Sequence, residues 1–186
     1  DIAGHASPGL FARWADLNLL LNRAAAPCSA LAQDPGLSSD VSLKVFCIAR
    51  SGDWNRAALL LQGAQTLGDV SNRRADLLER FLDGDLNEMR RSLLPPVRPT
   101  PLEFRLFEAI GEPLPTAPLP LAFSVLDLGG DNGWKAQLEA AERLARAGSL
   151  SPNRLLGLHT ERKPAASGGV WDRAEGLQRL ENALDS

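Results

Sequence analysis

Apolar residues along this chain recur at three- and four-residue steps, interrupted at short intervals by glycine, proline, serine and aspartate. That rhythm predicts short amphipathic helices rather than strands, which would alternate with a period of two. The first helix should follow Ser7-Pro8, with Ser7 as N-cap and Pro8 at the first helical position. Leu10, Phe11, Trp14, Leu17, Leu20 and Leu21 would line its apolar face, and Pro27 would end or kink it. Asp34-Pro35-Gly36 is a break, after which Ser39 or Asp40 starts a helix through Val45 and Ile48. A helix closed by Gly68 comes next. Another, opened by Ser71, runs through Leu77, Leu78 and Phe81 to Asp83-Gly84, and a short one is expected over 86–93.

Residues 94–120 are rich in proline, yet Thr100 and Glu103 have the spacing of a capping box around Pro101-Leu102. Leu102, Phe104, Leu106, Phe107 and Ile110 are too apolar for a solvated tether, so a docked helix over 101–110 is expected, stopped at Gly111. Further helices are predicted over 119–128, over 134–147 with Gly148 as cap, after Ser151-Pro152, and over 171–184, with 163–169 as a loop. The whole reads as one all-α domain of antiparallel helical pairs over 1–186, with room for a sub-boundary within 94–120.

Residues 41–67 are the most specific stretch. Gly52 permits a tight reversal and Asp53 can cap the following helix. Trp54, Ala57, Leu61 and Ala64 then form one apolar stripe, in which the two alanines let a partner helix approach closely. This stretch resembles the second half of a tetratricopeptide (TPR) repeat, with Gly52, Asp53, Trp54, Ala57, Leu61 and Ala64 on the motif positions. The likeness covers about one repeat. The first-helix Trp and Leu-Gly are missing, and Asp69-Val70 follow Gly68 where a proline would close the unit. It implies hairpins stacked as an α/α superhelix with a concave face that holds a peptide or partner domain.

An internal echo accompanies it. Counted from Trp54 and from Trp134, glycine lies fourteen residues on (Gly68, Gly148) and serine seventeen (Ser71, Ser151). Arginine lies twenty on (Arg74, Arg154) and leucine twenty-four (Leu78, Leu158). Trp171-Asp172-Arg173-Ala174 also echoes Trp54-Asn55-Arg56-Ala57. Shared hairpin geometry explains the matches, and common descent stays open. Trp134, Trp171 and Arg154 are candidates for an interface, since aromatic and arginine anchors dominate binding surfaces.

The net charge of −3, with scattered basic residues, argues against a nucleic-acid surface. No apolar run is long enough for a membrane span. The chain opens at Asp1 with no initiator Met, as expected of a processed chain or a piece of a longer one. Cys28 and Cys47 are either paired, which would place the protein in the periplasm or outside the cell, or two buried thiols of a cytoplasmic one.

Signals for chemistry are sparse. Residues 125–133 resemble the first motif of S-adenosylmethionine-dependent methyltransferases, with Asp127, Gly129 and Gly133 on motif places, but Asp131 replaces the middle glycine and the residues beyond read as helices. His5 and His159 are the only histidines; His159 with Glu161 is too small a set for a metal, and a helix-end role is expected for it. Ser167 sits in a glycine loop, and Glu139, Glu142 and Glu175 read as solvated helix faces. Neither cofactor nor metal is expected. The sequence therefore points to a non-catalytic module with a protein or peptide partner; the alternative is the helical part of an enzyme, such as a periplasmic cell-wall lyase, which would gather Asp131, His159, Ser167 or several carboxylates in a deep pocket.

Overall fold

In the computed structural model, which describes residues 8–184, ten α-helices and two 3₁₀ segments follow one another, and no strand forms among the described residues. The expected caps at Ser7 and the residue His5 lie outside that range. The chain divides into two compact units, Asp1–Leu114 and Pro115–Ser186, at a point inside the proline-rich stretch.

The first unit comprises α1 (Pro8–Leu20), α2 (Ala25–Gln33), a 3₁₀ turn (Pro35–Leu37), α3 (Val41–Arg50), α4 (Trp54–Leu67), α5 (Asn72–Leu82), α6 (Gly84–Met89) and α7 (Pro101–Ala109). Consecutive helices pack on one another from α1 to α6, and α7 returns to pack on α1 and α5. Phe11 and Leu19 of α1, Val45 and Phe46 of α3, Leu78 of α5 and Leu106 and Phe107 of α7 are buried in its core. The capping box is formed: Glu103 N–H donates to Thr100 Oγ1 at 3.2 Å, and Thr100 N–H donates to Glu103 Oε2 at 2.8 Å. The other oxygen of Glu103 accepts from Arg74 of α5 at 3.2 Å, which fastens α7 to α5.

Several expectations need correction. Asn22, not Pro27, stops α1: it takes the left-handed conformation (φ 57°), which asparagine tolerates better than most residues. Pro27 is the third residue of α2, in the first turn, where a missing N–H leaves no bond unmade, and its ring is buried. Phe11 and Leu20 are buried as expected, together with Ala15 and Leu19, while Leu10, Leu17 and Leu21 are more than half exposed. The small Ala15 lets neighbours approach on that side. The helix expected over 86–93 is instead α6, which starts at Gly84 under an Asp83 cap and stops at Met89.

The second unit holds a 3₁₀ segment (Leu121–Gly129), α8 (Trp134–Arg146), α9 (Pro152–Thr160) and α10 (Val170–Leu184). Trp134, Leu138, Val170 and Ala174 make its core, with Leu158 and Trp171 packed against them. The segment expected as an α-helix over 119–128 is wound as 3₁₀. Three residues per turn put Ser124 and Asp127 in line, and both are buried. Asp127 accepts bonds from Thr116 Oγ1 on one side and Asn132 Nδ2 on the other.

Candidate functional site: an apolar groove with a basic rim

The α3–α4 hairpin builds the site. Gly52 turns the chain at φ 92°. Asp53 caps α4 by accepting from Arg56 N–H at 3.2 Å, and Ser51 Oγ donates to the Ile48 carbonyl at 2.7 Å. Gly68 ends α4 in the left-handed conformation, and Asp69 N–H reaches the Ala64 carbonyl at 2.9 Å, the doubled bond of a Schellman stop. Ala57, Leu61 and Ala64 are buried, whereas Trp54 is half exposed with its ring 6.0 Å from Phe81 of α5.

Leu59 of α4 is 69% exposed, on the side away from the buried Ala57 and Leu61. Leu59 and Leu60 form one wall of a cavity of about 790 Å³ between α2, α3 and α4. Leu31 and Ala32 of α2 and Ile48 of α3 supply the other apolar surface. Cys28 and Cys47 line it too, joined in a disulfide that ties α2 to α3 with Cα atoms 4.9 Å apart. The basic groups on its walls are Lys44, Arg50 and Arg56, and no acidic residue lines it. Arg50 lies 5.6 Å over the Phe46 ring, and the ion pairs among the described residues use none of these cations. The groove is thus apolar inside and unneutralised at the edge.

Two further cavities are edged by charged side chains. One of about 360 Å³ lies at the N-terminal ends of α3 and α5, edged by Asp40, Asp69, Arg74 and Glu103. Another, of about 300 Å³, lies in the second unit beside Glu142, Arg143, Arg146 and Arg173. Glu142 is 7% exposed, which corrects its reading as a solvated face. Its carboxylate accepts from Arg173 Nε and Nη2 at 2.6 and 2.8 Å and from Arg146 Nη2 at 2.7 Å, and His159 Nε2 lies 3.4 Å away. Burial opposes ionisation, but the bonds from Arg173 and His159 and the charges of Arg173 and Arg146 outweigh it and hold the carboxyl below the usual glutamate value. The cluster ties α8, α9 and α10 together.

The remaining candidates fall apart in space. His159 is buried, with Nδ1 at 3.0 Å from the Leu155 carbonyl, while Asp131 and Ser167 are exposed and share no hydrogen bond with it. No cluster of three metal-ligating side chains occurs among the described residues. Val125 to Leu128 lie in the 3₁₀ segment, so the strand that a methyltransferase motif requires is not formed. Trp134 is buried with its ring 5.2 Å from Trp171, which withdraws it from the surface expected of an interface anchor; Arg154 stays exposed. No helix among the described residues is long and apolar enough to cross a membrane. The chain matches no protein-family model, no curated protein and no solved structure.

Proposed function

We propose that the first unit is a non-catalytic interaction module that holds a segment of a partner protein in the α2–α4 groove. The observation that carries this is a preformed apolar cavity between α2, α3 and α4 whose wall includes the uncovered Leu59. In this reading the α3–α4 hairpin is a TPR-like unit, with Gly52, Asp53, Trp54, Ala57, Leu61 and Ala64 setting its turn and packing. The Cys28–Cys47 bond stiffens the floor of the groove and fits work in an oxidising compartment, the periplasm or outside the cell.

Affinity capture from the native host, followed by mass spectrometry, tests the reading when run with the wild-type chain beside Leu59→Glu. A partner retained by the first and reduced about tenfold or more by the second supports it. Equal capture by both, or none by either, sinks it. Intact mass under non-reducing conditions reads the state of the cysteine pair.

A further inference from the structure

We infer that the occupant of the groove is an acidic amphipathic helix of a partner protein; this deepens the interaction reading above and rests on it. Two observations lead there. The first is charge. Lys44, Arg50 and Arg56 stand on the groove walls, no carboxylate lines it, and none of the three is spent in an ion pair among the described residues. The chain as a whole is net negative, so this local excess runs against its overall balance. A segment with glutamate or aspartate beside its apolar residues would be steered in and held in register, while a lysine-flanked one would be repelled.

The second is backbone chemistry. The walls are helices, whose N–H and C=O groups bond within themselves, and no strand edge exists among the described residues. An extended segment laid in the groove would find no partners for its own backbone groups. A helix satisfies its own and can offer leucine-sized side chains at three- and four-residue spacing to the floor between Leu31, Ile48 and Leu59. The disulfide keeps α2 and α3 at fixed separation, so the site is held ready before the partner arrives.

The test uses the whole chain and two labelled synthetic helices that share one leucine face and differ only in carrying Glu or Lys beside it. Fluorescence anisotropy is read with the wild type, with the Arg50→Glu/Arg56→Glu variant and with Leu59→Glu, each checked for helix content by circular dichroism. The expected result is that the wild type prefers the Glu helix by about tenfold, that the double variant inverts the preference, and that Leu59→Glu weakens both. Equal binding of the two helices by the wild type overturns the acidic partner while leaving the groove as a docking site. Absence of binding by either helix overturns this inference too, and the capture experiment then decides the broader reading by itself. A dimer in sedimentation velocity that Leu59→Glu dissolves would put a second copy of the chain in the groove. Dodecanoate bound as tightly as the Glu helix would put a free amphiphile there. Each of these outcomes also overturns the inference.

Discussion

The stretches that begin with α4 and α8 and run on into α5 and α9 carry tryptophan, glycine, serine, arginine and leucine at the same offsets, and the two tryptophans end in opposite surroundings. Trp54 is 48% exposed, touching Phe81 with part of its ring. Trp134 is 8% exposed; its indole Nε1 donates to the Leu158 carbonyl at 3.0 Å. The backbone roles match more closely. Gly68 and Gly148 are both left-handed, at φ 77° and 69°, and in each case the next N–H reaches back five residues at 2.9 Å. Ser71 and Ser151 already diverge, since only Ser151 has a side-chain cap bond, to Arg154 N–H. Repeated letters therefore specify how a helix starts and stops, while the elements lying over it decide what each side chain does. The outer faces show the same divide: α8 displays charges such as Lys135 and Glu139, which pair at 3.6 Å, whereas α4 displays leucine. A surface that has found no neighbour inside its own unit is the one to examine for a partner.

The contrast has measurable consequences. Trp134→Ala should cost the second unit about 3–5 kcal/mol, as removal of a buried aromatic does, while Trp54→Ala should cost the first about 1 kcal/mol, the scale of one partly exposed ring contact. Equal losses in chemical denaturation would erase the distinction. Next in size, replacing both Cys28 and Cys47 by serine should lower the stability of the first unit by about 3 kcal/mol, for a pair 19 residues apart in sequence, and leave the second unit's transition in place. Gly68→Ala and Gly148→Ala should each cost about 1–2 kcal/mol. An added Cβ would meet nothing within 4 Å at either position, so the cost is conformational and should be the same for both; unequal values would show that the two stops differ.

Acid should act on the second unit through one buried carboxylate. The Glu142 carboxyl is held below its ordinary value in the folded second unit, so its stabilisation is complete at neutral pH. It is lost as pH falls from the ordinary glutamate range through the folded value. Glu142→Gln should remove that part of the acid sensitivity, read as a flatter melting temperature against pH. The smallest expected effect is on stability from Leu59→Gln, within about 0.5 kcal/mol as for other exposed positions, although binding in the groove should weaken.

What could be read from the sequence was local. The all-α class follows from periodicity, and the caps at Asp40 and Thr100–Glu103 are short-range chemistry written in adjacent letters. What escaped was long-range. Glu142 is buried because Arg173, thirty-one residues away, comes to meet it, and nothing near Glu142 announces that. The inward face of α1 is only partly legible, at Phe11 and Leu20, because α1 is apolar around most of its girth and only the neighbours choose between Leu17 and Leu19. The groove did leave a trace: Leu59, Leu60 and Leu61 are consecutive, so a helix must turn some of them away from the face that Leu61 shares with Ala57.

Arg105 of α7 donates from Nε to the Leu19 carbonyl at 2.7 Å and from Nη2 to the Leu20 carbonyl at 2.9 Å, serving as the terminal partner of α1. Helix α1 is thus finished by a residue eighty-six positions later. During synthesis the guanidinium that completes this helix end arrives only when most of the first unit has left the ribosome. A nascent chain halted before Arg105 would lack both this partner and most of α7, a helix that packs on α1.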